Sequence, residues 1–357
     1  MRRALTLARR GEGLTRPNPP VGAVVVARGK KIGEGFHRFA GGPHAEVIAL
    51  LAAGKKARGA TLYVTLEPCS TWGRTPPCTD AILEAGVARV VVGATDPNPK
   101  HAGRGLDLLR RKGVQITTGV CRAAAEELIA PFTKQQRTGR PFVTLKLAQT
   151  LDGRIADTRG ASRWITSPES RTVVQALRRR ADAIMVGGET VRADNPRLLP
   201  QPDEGRCPLR VVVTASGKLP PRSRVLTDDH AGCTLVATTA TGARRWARVK
   251  TAAKIWTLPA RAGKIDLAVL LKKLGDCDCL HVLGEGGGKL AAELFRAKLV
   301  DELQLFIAPK LLGGDARPAI GAAGWLLKTA PALEIMDMRR VGPDILIQAK
   351  PMKKKSR

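Results

Sequence analysis

Three potential metal ligands near the N-terminus constrain this chain more than any other feature. His44 is followed by Cys69 and then, after a loop of eight residues, by Cys78. Zinc takes nitrogen and sulfur ligands in a tetrahedron, and a catalytic zinc site leaves its fourth position to water. A lone His or Cys is more often a packed core residue than a ligand. The three residues together predict a zinc site with one open corner.

The sequence around each ligand predicts elements that converge on one point. The apolar run 47–53 indicates a helix that starts just after Pro43. Residues 60–66 form a short strand pattern that ends at Cys69, and the pair of prolines before Cys78 sets up a second helix. A helix N-terminus favours a thiolate, which suits Cys78 as a ligand.

Glu46 is the carboxylate that accompanies this set. It lies two residues after His44, too close in sequence to be a comfortable fourth ligand but well placed to move a proton. Zinc deaminases combine His-x-Glu with Pro-Cys-x-x-Cys and use the Glu as the general acid and base. The chain keeps His-Ala-Glu and Pro-Cys and lengthens the cysteine loop, so we interpret it as a zinc deaminase.

The net charge of +29 does not by itself indicate a nucleic-acid partner. The basic excess is spread over both halves, and aromatic residues make up only 3%, with Tyr63 the single tyrosine. A surface that binds single strands combines a basic stripe with stacking aromatics. We therefore expect no nucleic-acid partner and interpret the charge as attracting phosphorylated substrates.

The cysteine content and the apolar pattern of the sequence indicate the cellular compartment. Seven cysteines, an odd number without a pairing pattern, predict a reducing cytoplasm. No apolar run of 18 residues is present, so no membrane helix is expected. The arginines at 2, 3, 9 and 10 resemble a transit peptide, but the apolar residues between them share one helical face, which favours a structural helix.

Strand and helix patterns alternate along the whole chain, which predicts an α/β fold in two domains, 1–138 and 139–357. The boundary is placed in the polar stretch 135–141. In the second domain, glycine turns at 283–288 and 186–190 each follow a predicted strand and precede a predicted helix. Such turns admit a phosphate, although a glycine run alone is weak evidence and the usual dinucleotide fingerprint is absent.

Several motifs carry a resemblance to the bifunctional riboflavin-biosynthesis deaminase/reductase family, from about residue 3 to about residue 349. In the first domain they are Pro-Asn-Pro-Pro-Val-Gly (17–22), Pro-His-Ala-Glu (43–46), Thr-Leu-Glu-Pro-Cys-Ser (65–70), Gly-Arg-Thr-Pro-Pro-Cys (73–78) and Asp-Pro-Asn-Pro (96–99). In the second they are Lys-Leu-Ala (146–148), Leu-Asp-Gly-Arg (151–154), Trp-Ile-Thr-Ser (164–167), Thr-Val-Arg-Ala-Asp-Asn-Pro (190–196) and Ala-Pro-Lys-Leu-Leu-Gly (308–313).

The resemblance implies a cytidine-deaminase-like three-layer N-terminal domain and a dihydrofolate-reductase-like C-terminal domain. The first would remove the 2-amino group of a diaminopyrimidinone that carries a ribosylamino 5′-phosphate, with zinc on His44, Cys69 and Cys78. Glu46 would shuttle the proton, and Asn18 and Arg74 would contact the substrate. The second would reduce the ribosyl group to ribityl with NADPH.

The resemblance also assigns the reductase residues and an oligomeric state. The substrate would contact Ser162, Arg178, Leu198 and Glu285. NADPH would contact Ala148, Trp164, Thr190, Asp194, Gly287, Gly288, Lys289, Leu290, Ala291, Ala292 and Glu293. A homo-oligomer through the reductase domain is expected.

The chain departs from the family pattern at three places. Thr71-Trp72 replaces a usual His, Thr214-Ala215 replaces an Asp-Ser pair, and Gln201 stands where some members carry Arg. None of these changes touches the zinc set or Glu46, so both activities are expected.

Two rival interpretations stay open on the sequence. A zinc deaminase acting on a nucleobase in RNA or DNA would share the ligand set, but it does not need a second α/β domain with glycine turns. A structural zinc module beside a degenerate binding domain would leave Glu46 without a role, so every activity would survive its replacement.

Overall fold

A five-stranded sheet forms the centre of the first of two units, Met1–Pro141, in the computed structural model, which describes residues 1–99, 101–202, 207–321 and 324–352. The sheet order is β2-β1-β3-β4-β5, with β1 antiparallel to both neighbours and β3, β4 and β5 mutually parallel. Its strands are β1 (Gly22–Ala27), β2 (Lys30–Phe36), β3 (Thr61–Leu66), β4 (Arg89–Ala94) and β5 (Gln115–Thr118).

Helices cover both faces of this sheet. They are α1 (Arg2–Ala8), α2 (Ala45–Ala53), α3 (Cys78–Glu84), α4 (Arg104–Arg111), α5 (Arg122–Leu128) and α6 (Ala130–Thr138). Alternate side chains of a strand point to opposite faces. In β1, Ala23 and Val25 pack with α2, α3 and α4, whereas Val24 packs with α1 on the other face. The predicted three-layer α/β unit is confirmed.

The sequence pattern missed strand β2, and the reason lies in its glycines. A Cβ on Gly33 would stand 2.2 Å from the Ala49 carbonyl oxygen, and one on Gly35 would stand 2.6 Å from the Ile48 side chain. Helix α2 therefore packs directly on this strand. Glycine has a low strand propensity. Because close packing requires glycines here, the sequence of β2 does not show a strand pattern.

Helix α6 occupies part of the segment predicted as a polar boundary. It ends at Thr138, and Gly139 caps it with φ at 65°. The helix has no fully buried residue, so it lacks the apolar stripe by which a helix is found in a sequence.

The second unit, Phe142–Arg357, contains a nine-stranded sheet. The strands of the unit are β6 (Phe142–Thr150), β7 (Arg154–Ala156), β8 (Ala183–Gly187), β9 (Leu209–Val213), β10 (Thr234–Thr238), β11 (Lys254–Thr257), β12 (Ala260–Arg261), β13 (Lys264–Ile265), β14 (His281–Glu285), β15 (Glu302–Ala308), β16 (Arg317–Pro318), β17 (Leu333–Val341) and β18 (Asp344–Pro351). The large sheet runs β11-β10-β9-β8-β14-β6-β15-β18-β17, and only its last two pairings are antiparallel.

Apolar clusters lie on both faces of this sheet. The helices are α7 (Pro168–Arg180), α8 (Gly188–Asp194), α9 (Arg224–Thr227), α10 (Ala240–Arg244), α11 (Leu267–Asp276) and α12 (Gly288–Arg296). In β8, Met185 packs with α11 and α12, and its neighbours Ile184 and Val186 pack on the opposite face with α8. Because β6, β8 and β14 are parallel neighbours, their carboxyl ends meet at one edge of the sheet, where ligands bind in open α/β folds.

No helix in the described part of the chain is both long enough and apolar enough to span a membrane.

Candidate active sites

The three predicted zinc ligands meet in the first unit. His44 is the N-cap of α2, Cys78 is the first residue of α3, and Cys69 follows β3. Their ligand atoms all lie within 4.8 Å of one another. Nδ1 of His44 is 3.1 Å from Sγ of Cys78 and 3.5 Å from Sγ of Cys69. The backbone N–H of Cys78 also donates to Sγ of Cys69 over 3.3 Å.

This donor set fits a zinc ion. Zinc–sulfur bonds of about 2.3 Å and zinc–nitrogen bonds of about 2.0 Å in a tetrahedron place nitrogen and sulfur about 3.5 Å apart. The nitrogen–sulfur distances of 3.1 and 3.5 Å in the cluster need only a small adjustment to reach that geometry. The cluster contains three such ligands in the described residues, so a tetrahedral ion bound there keeps one position for water.

The cysteine pair is electrostatically asymmetric. Hydrogen bonding with Cys78, aided by His44 and opposed by burial, lowers the pKa of the Cys69 thiol to about 4. The same shared hydrogen bond, together with burial, raises the pKa of Cys78, and hydrogen bonding to Cys69 raises the pKa of His44. Neighbouring hydrogen-bond donors thus stabilise the Cys69 thiolate even without a metal ion.

Glu46 lies beside the cluster on the first turn of α2. It is only 3% exposed, and burial raises its pKa to about 7. The protonated and the ionised forms of Glu46 are then both populated near neutral pH, which is the condition for efficient general acid and base catalysis. Glu46 therefore combines the position and the acidity expected of a proton shuttle.

Two residues for which the sequence predicted no role complete this region. His37 is buried; its Nδ1 lies 3.0 Å from the Pro43 carbonyl oxygen and its Nε2 lies 3.1 Å from Nδ2 of Asn18. The hydroxyl of Thr75 lies 3.3 Å from Nε2 of His44, the nitrogen that faces away from the sulfurs. Such outer contacts orient a metal-binding imidazole. Arg74, by contrast, is exposed.

Glu67, two residues before Cys69, forms hydrogen bonds that hold the neighbouring loop between β4 and α4 in place. Its Oε2 accepts the backbone N–H groups of Asp96 at 3.2 Å and Gly103 at 3.0 Å, and its Oε1 accepts that of Gly105 at 3.1 Å. The same loop contains His101, whose Nδ1 lies 3.5 Å from the hydroxyl of Thr71. An imidazole from a distant part of the sequence thus stands next to the Thr71-Trp72 departure.

The second unit contains a cavity of about 1500 Å³ at the carboxyl edge of its sheet. The four substrate residues predicted for the reductase all line it, as do seven of the eleven predicted cofactor residues: Ala148, Trp164, Thr190, Asp194, Gly287, Gly288 and Lys289. Gln201, the third departure, also lines it, whereas Thr214 is buried.

Four predicted cofactor residues of α12 do not line this cavity. Leu290 packs against the core, and Ala291 and Ala292 are buried. Glu293 instead pairs with Lys264 over 2.6 Å and with Arg296 over 3.3 Å. The amphipathic period of a helix turns these positions towards the sheet or the surface.

A buried ion pair forms one wall of the cavity. Nε and Nη2 of Arg178 each donate to one carboxylate oxygen of Glu285 over 2.7 Å, and Nη1 donates to the Leu199 carbonyl over 3.0 Å. Lys146, which belongs to a family motif but had no predicted role, is in register with Glu285 on the adjacent strand. Burial lowers the pKa of Lys146, and although burial opposes ionisation of Glu285, the Arg178 charge holds the pKa of that carboxyl below its usual value.

The two predicted glycine turns meet across the sheet edge. The backbone N–H of Gly287 donates to the Thr190 hydroxyl over 3.3 Å. A Cβ on Gly288 would stand 2.5 Å from the backbone nitrogen of Gly321, so only glycine fits. Helix α8 begins at Gly188, so Thr190 and the end of the predicted glycine turn 186–190 lie inside the helix rather than before it.

Residues predicted for substrate and for cofactor also contact each other. The hydroxyl of Ser162 donates to Oδ1 of Asp194 over 3.0 Å. The guanidinium of Arg171 lies over the exposed ring of Trp164, 4.5 Å from its centroid. A flat aromatic surface and several cations thus line one wide cavity, which suits an anionic dinucleotide.

The fold and the two sites define an enzyme with a zinc deaminase unit and a separate reductase unit. Residues 1–94 match the family model of the cytidine and deoxycytidylate deaminase zinc-binding region, and residues 141–347 match that of the RibD C-terminal domain.

Similarity to known proteins extends over nearly the whole chain. Riboflavin biosynthesis protein RibD of Escherichia coli (strain K12) is 44% identical, over 97% of both chains. RibD of Acinetobacter baumannii in its form 1 structure is 36% identical with a TM-score of 0.88, covering 99% of this chain and 98% of that one. The structure of a Thermotoga maritima diaminohydroxyphosphoribosylaminopyrimidine deaminase/5-amino-6-(5-phosphoribosylamino)uracil reductase has the same identity and TM-score, covering 99% and 97%.

The chain belongs to the RibD family. It is a bifunctional deaminase and reductase of riboflavin biosynthesis, it acts on a small molecule, and it uses zinc and NADPH.

Proposed function

We propose that the two units catalyse consecutive steps on one phosphorylated pyrimidine, with the deaminase in 1–138 and the reductase in 139–357. The first step hydrolyses the 2-amino group of 2,5-diamino-6-ribosylamino-4(3H)-pyrimidinone 5′-phosphate. The second reduces the ribosyl side chain to ribityl. The observation that carries the proposal is the His44, Cys69 and Cys78 cluster with buried Glu46 beside it. The activities in the name of the Thermotoga maritima relative support the choice of substrate.

His44, Cys69 and Cys78 would hold the zinc ion of the first step. When bound, zinc supplies a Lewis acid that makes a water molecule acidic enough to act as a nucleophile. Glu46 accepts the proton of that water and returns it to the leaving amino nitrogen, a role that its pKa of about 7 suits. Asn18 binds the substrate, and the exposed guanidinium of Arg74 meets its phosphate.

The cavity of the second unit would hold NADPH and the deaminated product side by side. When bound, NADPH supplies the hydride. Ser162, Arg178, Leu198 and Glu285 contact the product in this proposal. Of the eleven cofactor residues named from the resemblance, the seven that line the cavity hold the dinucleotide. Lys146, next to the Arg178–Glu285 pair, adds a positive charge that suits a phosphorylated ligand.

Mass analysis of the products tests both steps. The protein is incubated with zinc and the diaminopyrimidinone phosphate, with and without NADPH. We expect exchange of one amino group for oxygen without NADPH, and a further gain of two hydrogens with it. Glu46→Gln should prevent the first change but still reduce the deaminated intermediate when that compound is supplied. Full deamination by this variant would contradict the proposal.

We also propose a homo-oligomer formed through the reductase unit. Strand β17 lies at the edge of the large sheet, and three of its side chains, Ile335, Met336 and Met338, are 50–65% exposed. Exposed apolar edges of this kind are protected by pairing in many proteins. Light scattering should give more than one chain per particle, and Met338→Glu should lower that number.

A cytoplasmic location is proposed on the cysteine content. All seven cysteines lie in the described residues and none of them forms a disulfide there, which suits a reducing compartment.

A further inference from the structure

His37 connects two parts of the deaminase site through a single buried ring. It directly follows β2 and is 2% exposed, and its backbone N–H donates to the Val21 carbonyl over 2.9 Å. The ring has two polar partners: Nδ1 faces the Pro43 carbonyl oxygen at 3.0 Å, and Nε2 faces Nδ2 of Asn18 at 3.1 Å. Pro43 directly precedes the proposed zinc ligand His44.

The chemistry of these partners fixes the tautomer of the ring. A carbonyl oxygen accepts hydrogen bonds and never donates them, so Nδ1 of His37 must carry a hydrogen. In a neutral imidazole the other nitrogen is then an acceptor. The amide of Asn18 must therefore direct its NH₂ group to Nε2, because its oxygen would meet a lone pair there.

The orientation of Asn18 follows from this tautomer. With its NH₂ group on His37, the amide points its oxygen away from the ring, and no hydrogen bond to this oxygen is found within the described residues. The backbone of Asn18 is also fastened, since its N–H donates to the Thr15 carbonyl over 2.8 Å and its carbonyl accepts from the Thr15 hydroxyl over 2.9 Å. A half-buried acceptor is thus held in one direction.

We infer that His37 is a positioning residue for deamination, which locks the Asn18 amide so that Oδ1 accepts a hydrogen bond from an N–H or O–H group of the substrate. Without the ring, the amide can turn over and present its NH₂ group, which a substrate donor cannot use. The inference rests on the proposed role of Asn18 in substrate binding.

Two isosteric substitutions of His37 separate its hydrogen bonds. His37→Asn places a donor near the position of Nδ1 and keeps the Pro43 contact, but it has no acceptor for Asn18. His37→Gln places an amide oxygen near the position of Nε2 and restores that acceptor. We expect His37→Asn to raise the deaminase KM about tenfold, the usual effect of one lost hydrogen bond, with a smaller effect on kcat. We expect His37→Gln to stay within about twofold of the parent.

A double-mutant cycle with Asn18→Ala tests whether His37 acts through Asn18. Asn18→Ala alone should raise KM about as much as His37→Asn, and the double variant should be no worse than either. Additive effects, or a loss in His37→Gln equal to that in His37→Asn, would overturn the inference. An unchanged KM in Asn18→Ala would instead refute the proposed role of Asn18, and the inference with it. Zinc content and reductase rate, measured in every variant, control for folding.

Nitrogen NMR of the zinc-loaded parent protein tests the tautomer of His37 directly, without depending on how a variant folds. The ring signals of His37 are assigned by their loss in His37→Gln. We expect a protonated Nδ1 and an unprotonated Nε2. A hydrogen on Nε2 would overturn the inference.

Discussion

Arg178 and Glu285 are joined by two parallel hydrogen bonds of 2.7 Å inside the reductase cavity. Their side chains are only 17% and 10% exposed, so each charge depends on the other for compensation. The pair joins α7 to the end of β14, two elements far apart in sequence. It therefore shapes the wall of the cavity and stabilises this unit.

Replacing Glu285 by Gln should destabilise the reductase unit. Breaking a buried pair leaves a charge without compensation, so we expect the free energy of unfolding to fall by about 3 kcal/mol at pH 7. The Glu285 pKa is lowered in the folded protein, so its contribution is present at neutral pH and is lost as pH falls below the ordinary Glu value of about 4.3. Urea unfolding of both proteins at several pH values should show the difference narrowing in acid.

The exposed pair of Lys289 and Glu189 in the same unit gives the matched control. Its side chains are 69% and 58% exposed, so Glu189→Gln should change the free energy of unfolding by less than about 1 kcal/mol. An equal loss in the two variants would contradict the distinction between them.

Zinc binding to the metal-free protein should release protons. The Cys78 pKa is raised and the Cys69 pKa is about 4, so near pH 7 the free cluster holds one thiolate and one thiol. Zinc needs both sulfurs deprotonated, so we expect release of about one proton or more per ion and an affinity that rises with pH. Calorimetry in buffers of different ionisation enthalpy measures this number. Binding that is independent of pH would argue against a dithiolate site.

Removing the Thr75 hydroxyl should weaken zinc binding without removing a ligand. Thr75→Val keeps the shape of the side chain and deletes the contact with Nε2 of His44. Outer contacts of this kind contribute about tenfold or more to metal affinity, so competition with a chelator should show a loss of that order. Thr71→Val, in the same loop but next to His101, serves as the control and should retain the parent affinity.

Glu67→Gln should loosen the loop that contains His101. The carboxylate accepts three backbone N–H groups, and an amide presents one NH₂ group where an acceptor is needed. We expect hydrogen exchange at Gly103 and Gly105 to accelerate at least tenfold, since hydrogen bonds to a charged group are worth about 1.5–3 kcal/mol. Unchanged protection at both glycines would show that the loop is held by other contacts.

The zinc cluster could be predicted from sequence because its evidence is local. Each ligand stands at the start or end of an element that the sequence indicates, and ligand chemistry allows few combinations of residue types. The layered α/β fold was predictable for the same reason, since β1 and β4 each contain a run of valines and β3 consists of residues that favour strands.

The rest depends on contacts between distant residues. His37 has no motif of its own, and its role depends on Asn18 and Pro43, which meet it only in the fold. Lys146 reads as part of a buried strand until its register with Glu285 is known. The cofactor residues in α12 were carried over as a continuous stretch, but a helix turns successive side chains to different sides, so Ala291 and Ala292 face the core.

Zinc analysis combined with X-ray absorption at the zinc edge tests whether His44, Cys69 and Cys78 hold a zinc ion with one open position. We expect about one zinc ion per chain, bound by two sulfurs, one imidazole nitrogen and one oxygen from water. His44→Ala should lose that ion. Purified protein without tightly bound zinc, or with a fourth protein side chain in place of the water, would contradict the account.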